Sequence, residues 1–186
     1  MSATEHTTKL TLAFSHVGIF VHDLPLMEQF YTGVLGFTVT DRGKVRGADI
    51  VFTSQDPTEH HQVALVSGRP EDVPFNPINQ ISFRVPTLEA VQDVWRRVKD
   101  SPGVHDLRPI NHGNAWALYF RDPEGNRLEV FADSDWYVAQ PCAEPLDLSR
   151  PASDIRAESE AFCRTAEGFM PIEQWRAGMA ERMRRG

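Results

Sequence analysis

Three side chains able to grip a divalent cation stand at related places in this chain: His16, Gln80 and Glu129. An imidazole nitrogen, an amide oxygen and a carboxylate oxygen together make a mixed donor set of the kind that holds zinc, manganese or iron. The relation between them comes from a repeat. His16-Val-Gly-Ile-Phe-Val-His-Asp-Leu24 returns as Gln80-Ile-Ser-Phe-Arg-Val-Pro-Thr-Leu88, with a polar residue first, then alternating apolar residues, then a helix start. Two copies of one supersecondary unit bury their faces together and bring equivalent positions to a shared seam. Alone, His16 reads as a surface histidine and Gln80 as a polar edge residue; their equivalence gives them weight. Glu129 lies between Leu128 and Val130 and alternates with Arg127 and Phe131. A carboxylate near an apolar interior is unfavourable unless paired or bound to a cation, and the competing reading is an edge glutamate facing water.

The elements that must position these groups follow a β-α-β-β-β order twice. Ala13 to Val21 alternates as a strand, with His16, Gly18 and Phe20 on one face and Val17, Ile19 and Val21 on the other. Asp23 caps a helix carrying Pro25 in its first turn and Leu26, Phe30 and Val34 at helical spacing, and Gly36 ends it. Strands are predicted over Phe37–Asp41, Ala48–Phe52 and His60–Val66. Residues 68–78 contain three prolines and read as a linker. In the second copy, Gln80–Val85 is a strand, and Thr87 caps a helix with the stripe Leu88, Val91, Val94, Trp95 and Val98. Strands near Leu107–Ile110, Ala115–Phe120 and Arg127–Ala132 follow, the last two joined by the turn Asp122-Pro-Glu-Gly125.

The repeat occupies residues 12–133, as modules of about 12–67 and 79–133. Residues 134–151 read as a surface strap with two exposed aromatics, Trp136 and Tyr137. Ser153 is expected to cap a helix to about Thr165, and Pro171 to open another to about Met183. With no apolar partner left inside the repeat, this tail is expected to act as a lid or an oligomer contact. The fold class is therefore α+β: two paired βαβββ modules forming a half-open, eight-stranded barrel-like sheet, plus a helical C-terminal tail.

Composition narrows the function. A net charge of −7 disfavours nucleic acid and anionic membrane surfaces as partners. No apolar run approaches membrane-spanning length. Cys142 and Cys163 fall outside any metal-binding spacing and suit a reducing compartment, so a cytoplasmic protein is expected. Residues 1–11 read as a frayed leader, and Met1 to Lys9, polar and containing Glu5, is unlike a secretory signal. Read alone, His60-His61 is a polar turn, Tyr119 a core aromatic and His112 a loop residue, while Trp116 and Phe83 would either pack or wall an aromatic-binding pocket.

The segments His16-Val-Gly-Ile-Phe-Val, Phe30-Tyr-Thr-Gly-Val-Leu-Gly-Phe37 and Tyr119-Phe-Arg-Asp-Pro-Glu-Gly-Asn-Arg-Leu-Glu129 resemble the vicinal oxygen chelate superfamily over about residues 12–133. That group includes glyoxalase I, fosfomycin-resistance proteins, bleomycin-binding proteins and type I extradiol dioxygenases. The chain is most similar to single-domain dioxygenases, with which it shares His112-Gly-Asn-Ala-Trp-Ala-Leu-Tyr119. The resemblance implies metal ligands at His16 and Glu129, an acid–base histidine at His61, assisting groups at His112 and Tyr119, and a substrate contact at Asn114. It implies Fe(II), a catecholic substrate, O₂ and, by analogy, a homodimer. One position departs from the pattern: Gln80 stands where those dioxygenases have a second metal histidine. Glyoxalase I uses a glutamine ligand, so a lyase or isomerase on Zn, Mn, Co or Ni is the second expectation. A metal-free protein that sequesters an aromatic ligand is the third.

Overall fold

One tight turn and two helix caps set the local structure of the repeat. Asp23 accepts the backbone N–H of Leu26 at 2.9 Å, and Thr87 accepts that of Ala90 at 3.2 Å, so both expected caps form. Gly125 closes the Asp122 turn, its N–H donating to the Asp122 carbonyl at 2.9 Å with φ of 79°. The computed structural model describes residues 12–72 and 77–185. The expected leader, residues 1–11, and part of the expected linker, residues 73–76, lie outside the described residues.

The chain divides into two contact units, Met1–Thr32 with Gly36–Arg69, and Gly33–Leu35 with Pro70–Gly186. The first carries β1 (Val17–Val21), α1 (Leu24–Gln29), the start of a π-helical turn (Phe30–Val34), β2 (Thr38–Val45), β3 (Ala48–Ser54) and β4 (Val63–Ser67). Its sheet runs in the order β1-β4-β3-β2, with β1 parallel to β4 and the rest antiparallel. Ile19 and Val21 are buried while Gly18 and Phe20 face out, as the alternation predicted. The strand is shorter than expected, and His16 precedes it. The helix stripe is also displaced: Met27, Phe30 and Tyr31 are buried, whereas Leu26 is 42% exposed. A π-helical turn advances the register after Gln29, which brings Tyr31 edge-on to both Phe30 and Phe37.

The second unit repeats the order with β5 (Ile81–Arg84), α2 (Leu88–Val98), β6 (His105–Asn111), β7 (Ala115–Arg121) and β8 (Arg127–Asp133). The tail adds β9 (Trp136–Tyr137), β10 (Glu144–Pro145), α3 (Ala152–Cys163), β11 (Met170–Pro171) and α4 (Ile172–Arg185). The second sheet is β10-β6-β7-β8-β5, with β5 parallel to β8, and β9 and β11 form a separate ribbon. The chain is α+β, as expected, and the eight strands of the repeat are shared between two sheets. The duplication is exact enough to read in register: Val17 pairs with Val63 as Ile81 pairs with Leu128. The place that Glu129 holds opposite Ser82 is therefore held in the first unit by Ala64, opposite Gly18.

The tail is not the unpartnered appendage expected from the sequence. Val138, Leu148, Ile155 and Cys163 are all buried. Gln92 of α2 donates to the carbonyls of Leu148 and Arg150, Arg156 of α3 pairs with Glu89, and Ser159 receives both Trp116 and Asn111. Trp136 and Tyr137 are half-buried rather than exposed, the first edge-on to Trp116 and the second stacked on Trp175 at 5.1 Å. Ser153 does not cap α3; Pro151 occupies that position and no side chain caps the helix.

Asp122 anchors the β7–β8 turn. Its carboxylate accepts the N–H groups of Glu124 and Asn126 and the Asn126 amide at 2.7–3.0 Å. Burial outweighs these donors and holds its pKa up, to about 6. The native state then keeps a proton between about pH 4 and pH 6 that the unfolded chain has lost, so this group makes stability fall as pH rises through that window. Asp122→Asn removes that slope, which thermal unfolding at pH 4.5 and 7 would show as a smaller pH difference than in the wild type.

Candidate functional site

Strand register builds one row of side chains across the second sheet. Arg108 of β6 is opposite Tyr119 of β7, Tyr119 is opposite Glu129 of β8, and Glu129 is opposite Ser82 of β5. Directly opposed residues point to the same face, so these four project together. Helices α2 and α3 pack on the other face, against residues such as Leu118, Val130 and Trp116. The site row is thus left for chemistry while its reverse side supplies the core.

Glu129 is only 8% exposed. The Ser82 hydroxyl and the Gln80 amide both donate to it, the amide at 3.0 Å, and the same amide reaches Ser82 Oγ at 3.1 Å. The structure therefore brings two of the three expected ligands together. Both of these donors to the buried carboxylate are neutral, which leaves its charge to be offset by something else. A divalent cation fits that requirement. An amide suits either state, because its NH₂ serves a bare carboxylate and its oxygen serves a cation.

Tyr119 and His112 form the next pair. His112 Nδ1–H donates to the Cys142 carbonyl at 2.5 Å, which leaves Nε2 as the acceptor for the Tyr119 hydroxyl at 3.0 Å. Burial first, and then hydrogen bonding and the negative charge of Glu129, hold the Tyr119 phenol above its ordinary range. It is a proton donor at neutral pH. The loop that carries His112 is fixed by the strap: Gln140 donates to the His112 carbonyl at 2.8 Å, and Gly113, at φ of 74°, lies where any Cβ would meet Val138 Cγ2 at 2.3 Å. Asn114, half-buried, accepts Gln140 Nε2 through Oδ1 at 3.5 Å.

In the first unit, the structure gathers His16 with the His60-His61 pair. The rings of His16 and His61 lie 4.1 Å apart, His60 and His61 meet through their Nδ1 atoms at 3.0 Å, and Phe52 backs both. His60 and His61 sit in the loop before β4 rather than in that strand. Burial, followed by the neighbouring His16 and His60, pushes His61 below the ordinary imidazole range, so it is neutral and able to accept a proton at pH 7.

Trp116 and Phe83, for which packing and pocket-lining are both open in the sequence, lie on the face away from Glu129. Trp116 is buried on the α3 side of β7, with its indole N–H donating to Ser159 at 2.9 Å. Phe83 is opposite Val130, again on the face away from Glu129. The two-residue period of a strand gives both of them that face. Ser82 and Arg108 were missed, although both were legible: Ser82 is two residues from Gln80, and Arg108 falls opposite Tyr119 once the β6–β7 hairpin is aligned. Among the described residues no cluster of three His, Cys, Asp or Glu side chains forms a metal cage. No helix there is long and apolar enough to cross a membrane.

Residues 13–130 match the Glyoxalase/Bleomycin resistance protein/Dioxygenase superfamily. Biphenyl-2,3-diol 1,2-dioxygenase 3 of Rhodococcus globerulus is 32% identical over 130 residues, covering 67% of this chain and 65% of that one. The metapyrocatechase of Geobacillus stearothermophilus is 23% identical over 169 residues, covering 88% and 48%. The match thus spans less than two thirds of these relatives. Among solved structures, a glyoxylase/bleomycin resistance protein/dioxygenase domain from Frankia superposes with a TM-score of 0.55 at 21% identity, covering 68% of this chain and all of that one. The fosfomycin resistance protein FosX of Listeria monocytogenes, complexed with Mn(II) and sulfate, gives 0.53 at 18% identity, covering 67% and 95%. These last two likenesses speak for the fold alone. Duplicated βαβββ units, a glutamate on the eighth strand and a match across residues 13–130 make this chain a member of the glyoxalase, bleomycin resistance protein and dioxygenase superfamily.

Proposed function

We propose that this protein is a metal-dependent, extradiol-type dioxygenase that opens the ring of an aromatic 1,2-diol with O₂. The observation that carries the reading is Glu129: a buried carboxylate with neutral donors, beside a tyrosine–histidine pair, in a chain with diol dioxygenases among its relatives. Gln80 and Glu129 supply two of the proposed ligands and His16 the third. Fe(II) is the proposed ion. A divalent metal there would favour ionisation of the diol and hold it beside O₂.

The chain's own groups would then manage protons. Neutral His61 takes a proton from one hydroxyl of the diol, and Tyr119, whose own proton points to His112, accepts a hydrogen bond from the other hydroxyl. His112, fixed in orientation by the Cys142 carbonyl, accepts from Tyr119 and keeps the phenol aimed. Asn114 lies in the same loop as a further polar contact. The second reading, a glyoxalase-type lyase or isomerase on Mn, Zn, Co or Ni, is favoured by one observation, the amide of Gln80 in place of an imidazole.

Oxygen uptake separates them. Protein loaded anaerobically with Fe(II) and mixed with catechols is expected to consume one O₂ per diol and give a ring-opened, visible-absorbing product. Normal catechol binding with no O₂ uptake would overturn the dioxygenase reading.

A further inference from the structure

A cavity of about 160 Å³ opens beside the Glu129 row, lined by Gln80, Asp106, Arg108, Ile110, Tyr119, Phe120 and Arg127. Two of its walls are guanidinium groups. Arg108 is directly opposite Tyr119, and Arg127 lies two residues before Glu129 on the same strand face. Among the described residues neither forms an ion pair or a side-chain hydrogen bond. The arginines nearby are differently placed: Arg121 pairs with Asp106 at 3.4 Å and bonds the Gly125 carbonyl, and Arg84 pairs with Asp133 at 3.3 Å. The one carboxylate in the cavity wall, Asp106, is therefore already engaged.

Two uncommitted guanidiniums in a chain of net charge −7 are not a general basic surface. They are local, and both border the proposed substrate position. Guanidinium is suited to a planar, two-oxygen anion, which it meets with paired N–H donors. The cavity is also well below the roughly 300–1,000 Å³ of pockets that enclose drug-sized ligands, so it takes one small substituent of the diol ring.

From this geometry, and resting on the dioxygenase reading above, we infer that the substrate is an aromatic diol bearing a carboxylate, and that Arg108 and Arg127 recognise that carboxylate. Ile110 would pack against the ring edge, and Tyr119 would stand between the carboxylate end and the diol end. The class differs from the uncharged two-ring diol named for the Rhodococcus relative.

The test compares binding and turnover on the full chain. Dissociation constants are measured anaerobically by calorimetry for catechol, biphenyl-2,3-diol, 2,3-dihydroxybenzoate and 3,4-dihydroxybenzoate, with and without divalent metal. The wild type is expected to bind at least one dihydroxybenzoate about 10- to 100-fold more tightly than catechol, with the preference shrinking as salt is raised. Arg108→Gln with Arg127→Gln should erase that preference, and Arg108→Lys with Arg127→Lys, which keeps the charges and guards against misfolding, should retain part of it. Equal binding of charged and uncharged diols by the wild type, or a preference that persists in the double glutamine variant, overturns the inference. If the arginine-dependent preference holds while iron-loaded protein consumes no O₂ with any diol, the anion subsite stands and the dioxygenase reading falls.

Discussion

Glu129→Gln is expected to lose at least about a thousandfold in kcat/KM for ring opening, together with the metal-dependent part of the protein's stability. The change keeps the shape of the side chain and its ability to accept from Ser82, so the β7–β8 hairpin has no steric reason to shift. It removes the only anionic member of the proposed ligand set. A neutral site of one imidazole and two amides holds a hard divalent ion poorly. In the wild type, metal at about 100 times its dissociation constant stabilises the fold by about 2.7 kcal/mol. For a chain of this size that is a rise of roughly 5–10 °C in Tm. The variant should show no such rise, and calorimetric melts with and without metal would reveal it. An identical metal-induced rise in both proteins would show that any bound ion sits elsewhere.

Ser159→Ala is expected to destabilise the second unit by about 2–6 kcal/mol. Its hydroxyl is 2% exposed and accepts both Trp116 Nε1 at 2.9 Å and Asn111 Nδ2 at 3.1 Å. Alanine strands two buried donors, and each costs about 1–3 kcal/mol when left without a partner. Because α3 lies on the face opposite Glu129, the folded fraction should keep its affinity for metal. Denaturant unfolding measures the loss. Trp116→Phe in the same background removes one stranded donor, so the double variant should lose less than the sum of the two single changes. Strict additivity would mean that the Ser159–Trp116 bond contributes nothing of its own.

The contrast between these residues explains what the sequence made legible. Asp23, Thr87 and the Asp122–Gly125 turn were readable because caps and turns depend on a few neighbouring residues. The His16 and Gln80 equivalence was readable because duplication preserves register, and the structure keeps that register in the paired parallel strands. Leu26 was misplaced because helical spacing was assumed across a π-helical turn that only tertiary packing reveals. For Trp116 and Phe83 residue type leaves packing and pocket-lining open, and strand parity decides the face on which they lie. The tail was misread for a deeper reason. Ser159, Gln92 and Cys163 are polar or small, and their burial depends on contacts with residues 43–58 positions away that leave no periodic trace. The strap that orients His112 acts through the backbone carbonyl of Cys142, a group every residue has, and so it carries no side-chain signature.

Anaerobic equilibrium dialysis against Fe(II), run side by side on the wild type, Gln80→Ala and Glu129→Gln, reaches the core of the account. One ion per chain in the wild type, weaker uptake with Gln80→Ala and almost none with Glu129→Gln is the expected pattern. A wild-type protein that takes up no divalent ion, or a Glu129→Gln protein that holds one as tightly as before, would contradict it.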